Sequence, residues 1–265
     1  MSARMLRTAL LLALAAVSGA ASAHRPWLLP STTLADEEPY VTVDAAVSEH
    51  LFDFDHVPLK LDGLAIVGPD GKPRTPENVL TGRLRTTFDL KVAEPGTYRI
   101  SLFNDSAIVS YKVGGEMKRW RGPLADAARQ VPAGAQDAKT MHLQTRIETF
   151  VSAQKAGGQP FPLQGSGLEL EPLTNPTDLH SGDAVRWRFL IDGKPAVNLP
   201  VSLVPGGVRF RGTLGELRYS TDAQGELKIA LPTPGMYLLS ASFGDPQSAQ
   251  ARRASYAATI EILPQ

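Results

Sequence analysis

A chain of 265 residues in which 27 Lys plus Arg face 27 Asp plus Glu carries no net charge, so it lacks the basic surface expected of a nucleic-acid or anionic-membrane partner. It has no cysteine, which excludes disulfides, thiolate metal sites, thiol catalysis and redox relays, and any metal site must draw on His, carboxylates, Met or an amine. Its 21 Pro and 23 Gly are scattered and punctuate short segments, which favours an all-β chain over a helical one.

Arg4 and Arg7 precede an uncharged run rich in Leu and Ala that closes in Ala21-Ser22-Ala23. The run is shorter than the roughly 20 residues of a membrane span and ends in small residues, the pattern of a secretory signal peptide cleaved after Ala23. Residues 1–23 are therefore expected to be removed, leaving a periplasmic chain with no transmembrane segment. His24 would then be the first residue, and its α-amine, with a reference pKa of about 8, can yield its proton to a metal. Amine and imidazole form a two-nitrogen chelate that one further His completes for copper, and less exclusively for nickel or cobalt.

Pro26 and the apolar Trp27-Leu28-Leu29-Pro30 predict a short edge strand that anchors this terminus. A strand is predicted over residues 40–47, followed by the acidic loop Ser48-Glu49-His50-Leu51-Phe52-Asp53-Phe54-Asp55-His56. Loops at the end of a rigid strand are where binding groups are commonly carried. His50, His56, Asp53 and Asp55 are candidate ligands or orienting groups; the alternative is a solvated acidic loop whose Phe52 and Phe54 pack inward.

Strands are predicted over residues 59–67 and 84–92, and Pro95-Gly96-Thr97-Tyr98 opens another. A Tyr in that position marks a late strand of many immunoglobulin-like sandwiches, its hydroxyl reaching a backbone group. Residues 114–138 carry little strand signal beyond a short helix starting at Pro123. Residues 140–151 alternate strictly, which places His142 on the face opposite Met141, Leu143 and Ile147, a solvated or site-facing surface, and makes it a third candidate ligand. Residues 154–164 read as an interdomain connection. Further strands are predicted over 184–191, 196–204, 208–211, 226–231, 237–243 and 254–263. His180 lies in a turn and is read as solvated.

Asp192-Gly193-Lys194-Pro195 echoes Asp70-Gly71-Lys72-Pro73, and Pro234-Gly235-Met236-Tyr237 echoes residues 95–98. The expectation is two tandem immunoglobulin-like β-sandwich domains after the cleaved signal peptide. The first covers residues 24–155 and carries the candidate metal site, and the second, immunoglobulin- or transthyretin-like, covers residues 163–265. No nucleophile elbow, phosphate loop, dinucleotide fingerprint or zinc-protease helix motif occurs, which weighs against an enzyme.

Ala23-His24 with Trp27-Leu28, Leu168-Glu169-Leu170-Glu171-Pro172 with Asn175-Pro176, Gly182-Asp183, Asp192-Gly193-Lys194-Pro195, Thr221-Asp222-Ala223-Gln224-Gly225 and Pro234-Gly235-Met236-Tyr237 together resemble the exported domain-of-unknown-function family 4198. The resemblance spans nearly the whole mature chain. It implies a periplasmic metal-binding protein of nickel or cobalt uptake, acting beside a membrane importer or an outer-membrane receptor, with His24 as first ligand. The assignment of His56, His50, His142 and Asp55 rests on the residues themselves. Two other functions fit the same sequence. One is a copper monooxygenase using the N-terminal His, for which 7% aromatic residues offer little material for a flat substrate face. The other is a metal-free envelope interaction or carbohydrate-binding module.

Overall fold

The computed structural model describes residues 24–36, 39–244 and 251–265. The expected signal peptide, residues 1–23, lies outside them. The described chain is all-β, with strands β1 (Arg25–Pro30), β2 (Leu34–Ala35), β3 (Tyr40–Ser48), β4 (Val57–Pro58), β5 (Leu64–Val67), β6 (Pro73–Arg74), β7 (Glu77–Thr81), β8 (Thr86–Lys91) and β9 (Gly96–Val113). Then come β10 (Glu116–Pro123), a 3-10 helix (Leu124–Gln130), β11 (Gln136–Ala153), β12 (Leu168–Pro172), β13 (Ala184–Ile191), β14 (Lys194–Pro195) and β15 (Pro200–Pro205). A single helical turn, α1 (Val208–Arg211), precedes β16 (Leu217–Ser220), β17 (Glu226–Ala230), β18 (Gly235–Phe243) and β19 (Arg252–Ile262).

These strands form immunoglobulin-like sandwiches around two cores, and both cores rest on one continuous ten-stranded sheet. Its order is β16-β15-β18-β19-β11-β9-β5-β6, with β10 beside β9 and β2 beside β11. The first sandwich closes the β5-β9-β11 end with a sheet of order β1-β3-β8-β7, β4 pairing with β3. Leu28, Val41, Val43, Phe88, Tyr98, Ile100 and Val151 fill that core. The second sandwich closes the β15-β18-β19 end with β12-β13-β14 and β17, around Leu170, Trp187, Phe189, Leu203, Leu239 and Tyr256. The two ends join where β11 pairs in parallel with β19, His142 to Thr149 matching Arg252 to Thr259.

The join explains the composition of β11. Ile147 and Val151 face the first core, while Phe150, on the other face, belongs to the second. The polar residues of that second face are not solvated as strict alternation suggests. Gln144, Arg146 and Glu148 are 4%, 1% and 1% exposed; Gln144 and Arg146 meet the segment leading into β12, and Glu148 accepts the Tyr256 hydroxyl. Arg146 donates to the Leu168 carbonyl (3.0 Å), the Ser166 carbonyl (3.1 Å) and Gln164 Oε1 (3.1 Å). Glu169 accepts the Gln164 and Gly165 amides at 2.7 and 2.6 Å, and Arg99 donates to the Pro162 carbonyl at 2.9 Å. The connection between the cores is therefore fastened to the sheet by charge-assisted hydrogen bonds.

Both tyrosines form the expected corner. Tyr98 Oη donates to the Glu94 carbonyl (3.1 Å) and accepts the Glu94 amide (2.9 Å), and Tyr237 Oη donates to the Thr233 carbonyl at 2.8 Å. Three local readings change. Residues 208–211 form a helical turn, because Gly207 and Gly212 sit on either side in the left-handed region at φ 73° and 68° and close the chain into a turn. Of the predicted 59–67 strand, only residues 64–67 form a strand, pairing with β9. Residues 116–123, read as poor in strand signal, are β10; it pairs along one edge with β9 and is exposed except at the half-buried Trp120 and Gly122, so little alternation marks it.

A third apolar cluster positions the terminal residues. Trp27 and Ala46 of the first sandwich pack with Leu51 against Val204, Leu238 and Ala257 of the ten-stranded sheet. Trp27 is fully buried, and its Nε1 donates to Ser48 Oγ at 2.7 Å. Burying so large a side chain is worth about 3–5 kcal/mol against alanine. It anchors β1 against β3, just after His24.

Candidate metal centre

Strand register decides which histidines meet. β1 and β4 flank β3 on opposite sides of its last residues: Arg25 matches Ser48, while Val57 matches Val47. His24 and His56 are the next residues outward on those two strands. Their imidazoles stack across the end of β3, centroids 3.9 Å apart and planes 7° from parallel.

The intervening loop is braced by one carboxylate. Asp55 Oδ1 accepts the Glu49 amide, and Oδ2 accepts the His50 amide and His50 Nδ1, each at 2.9 Å. Burial works to raise the Asp55 pKa, but the His50 and Glu49 backbone hydrogen bonds and the His50 ring together hold it below the usual carboxylate range. An ionised carboxylate only accepts, so His50 Nδ1 carries a proton. In the neutral ring that leaves Nε2 as the free lone pair.

Phe52 and Phe54 do pack inward. Both ring centroids lie 5.6 Å from that of Trp27, and Arg85 sits over the Phe54 ring at 4.4 Å. Phe52 adopts φ 67°, a conformation a bulky residue keeps only under packing restraint. The restraint comes from the second sandwich, where a Cβ on Gly206 would lie 2.8 Å from Phe52 Cδ2, so only glycine leaves room for the ring. The inward aromatics and the outward polar groups are thus two faces of one loop.

On the outward side His50, Asp53 and Asp55 each offer a ligand atom within 4.8 Å of the others. Arg209 of α1 stands 3.6 Å from Asp53, a neighbour that the strand reading of residues 208–211 could not supply; the Gly206-Gly207 pair and Gly212 are the signal for it. Of the candidates, His24 and His56 come together, and His50 and Asp55 come together with Asp53. His142 sits in another polar cluster, its Nε2 bonded to Asp105 Oδ1 at 2.7 Å beside Gln144, which in turn meets Arg252. His180 lies 3.8 Å from both Asp178 and Asp183 and is partly exposed.

The donor set suits a transition metal of borderline softness. Metal-to-imidazole bonds of about 2.0–2.1 Å lie in the ring plane, so the two stacked rings would have to swing apart from their near-parallel arrangement to converge on one ion.

A family model described as Domain of unknown function (DUF4198) matches residues 21–245. No curated protein matches the chain. Among solved structures, trypsin-activated alpha-2-macroglobulin from Escherichia coli is 14% identical with TM-score 0.24, the match covering 91% of this chain and 16% of that one. A DUF4785 family protein from Legionella pneumophila is 10% identical with TM-score 0.23, covering 88% and 55%. Titin domains I67–I69 are 12% identical with TM-score 0.21, covering 91% and 66%. The chain thus spans less than two thirds of each of these solved chains, and likeness at this level carries no functional inference.

Proposed function

Because the chain belongs to the family of Domain of unknown function DUF4198, its function has to be read from its own residues, and we propose that it is a periplasmic transition-metal-binding protein. In this reading copper, nickel or cobalt is cargo, and the protein acts in uptake or handling beside a membrane importer or outer-membrane receptor. The observation that carries the reading is the stack of His24 on His56 at 3.9 Å. Cleavage after Ala23 adds the α-amine of His24 to these two rings, and three nitrogens favour copper first by the general order of divalent affinities. His50, Asp53 and Asp55 supply negative charge and a further imidazole from the same loop. His142, held by Asp105, is assigned no ligand role.

The test is intact mass and metal content of protein exported with its own leader, followed by titration with Cu²⁺, Ni²⁺ and Co²⁺. A chain beginning at His24 with one ion per molecule supports the reading, and the preferred ion separates copper handling from nickel or cobalt uptake. A different N-terminus, or no saturable binding, overturns it. Peroxide release by the copper-loaded protein with a reductant tests the oxidative alternative.

A further inference from the structure

Between the two sandwiches the ten-stranded sheet is left open as a groove of about 1260 Å³, with His24 on one wall. Strand register sets its floor. Asn104 of β9 matches Thr145 of β11, Thr145 matches Ser255 of β19, and Ser255 matches Ser242 of β18, and all four line the groove. Side chains of matched residues share a face, so this row of one amide and three hydroxyls runs across the strands for about 14 Å. Within the row Ser255 Oγ donates to Thr145 Oγ1 at 3.2 Å, and four neutral hydrogen-bonding groups in file are a surface for a polar ligand.

Two further observations point to the ligand's charge. Ser106, also lining the groove, is 7% exposed and its Oγ has no hydrogen-bond partner among the described residues. Buried hydroxyls are nearly always satisfied, so an orphan in the wall of a groove leaves a hydrogen bond that a ligand atom can complete once the side chain turns outward. Around the floor stand Arg25, Lys60, Arg121 and Arg253, none with an ion pair within 4.0 Å among the described residues. The acidic groups of the groove are largely committed elsewhere: Glu216 to Ser202 and Arg218 at 2.7 Å each, Asp105 to His142 at 2.7 Å, leaving Asp62. Arg253 Nε donates to Ser242 Oγ at 3.2 Å, which turns the guanidinium along the row.

We propose that this groove binds an organic polycarboxylate, its carboxylates on Arg121 and Arg253 and its remaining oxygens on Ser106 and the row from Asn104 to Ser242. Guanidinium groups match carboxylates in shape and charge, and the hydroxyls donate to what the guanidiniums do not reach. A neutral sugar fits less well, because the aromatic side chains lining the groove are Tyr219 and Tyr256, and Tyr256 is 1% exposed with its hydroxyl donated to Glu148 at 2.7 Å. The proposal stands without the metal reading. Only its corollary rests on that reading: an ion chelated by the bound polycarboxylate would face His24.

The experiment is calorimetric titration of metal-stripped protein with citrate and with tricarballylate, which keeps the carboxylates and lacks the hydroxyl. Saturable one-to-one binding with Kd of about 1 mM or tighter is expected, weakening as salt rises. R121Q/R253Q, changes at two exposed residues that leave the thermal midpoint in place, weaken it at least about tenfold. S106A weakens citrate binding while the ligand-free protein becomes no less stable, because the orphan hydroxyl is removed. H56A keeps citrate binding and loses metal binding, which separates failure of this proposal from failure of the metal reading. Absence of saturable binding to both acids, unchanged affinity in R121Q/R253Q, or binding of a neutral oligosaccharide in their place overturns the proposal.

Discussion

The imidazole of His24 lies flat against that of His56, 32 positions along the chain, with 7° between their planes. The two rings stand just outside strands that pair with opposite edges of β3. Replacing His56 by Ala is expected to weaken Cu²⁺ or Ni²⁺ binding by more than the about 10–100-fold that loss of an outer-shell partner costs. Acetylating the mature α-amine should do the same. Competition titration with a chromogenic chelator reads both, and equal affinity in all three proteins rules out this pair as the site.

Asp55 closes the loop through three accepted hydrogen bonds. Its folded-state pKa lies below the ordinary carboxylate value. The stabilisation is therefore complete above the unfolded pKa of about 4 and is lost as pH falls through the lower folded value. Asp55→Ala should cost about 1 kcal/mol in denaturant unfolding at neutral pH and free the His50 ring. In D55A the histidine resonances of His50 in a two-dimensional NMR titration should move toward those of an unrestrained imidazole.

Arg146 is 1% exposed and lies 3.6 Å from the buried carboxylate of Glu169. Arg146→Ala strands that charge and releases the segment before β12, an expected loss of about 3–5 kcal/mol by urea unfolding. The double change R146M/E169Q should recover a substantial part, since an uncompensated charge no longer remains. A loss from R146A no larger than that of an exposed arginine contradicts the fastening role given to this connection.

Hydrogen bonds from Arg186 and Arg188, at 2.9 Å each, lower the Glu226 carboxyl from 4.5 to about 2. A depressed acid stabilises the fold above its unfolded pKa and loses that contribution on the way down to the folded one. The thermal midpoint should therefore fall between about pH 4.5 and about pH 2. E226Q should lower the neutral-pH midpoint and flatten that acid limb; an unaltered limb would show that other carboxylates govern it.

The all-β class, the Tyr98 and Tyr237 corners, the short helix after Pro123 and the terminal strand anchored by Trp27 were legible because each depends on residues close in sequence: turn chemistry, alternation, or a proline's missing donor. The loop from Glu49 to His56 was legible as a cluster for the same reason. Arg209 and β10 were not. A helical turn of four residues between glycines has no room for a period, and a strand half-buried only at Trp120 and Gly122 has little alternation to read.

By itself the sequence determined which chemistry is available: no thiols, five histidines, an acidic loop, and a histidine placed directly after a leader-like segment. Only the tertiary structure decided which of those groups share a site. The choice of β1 and β4 as the two neighbours of β3 brought His24 onto His56, and the parallel pairing of β11 with β19 carried His142 into a different cluster. That same pairing aligned Asn104, Thr145, Ser255 and Ser242 into the floor of the groove. Strand pairing is a choice among non-local partners, settled by burying Trp27, Phe150 and the Arg146 network together, and no local pattern encodes it.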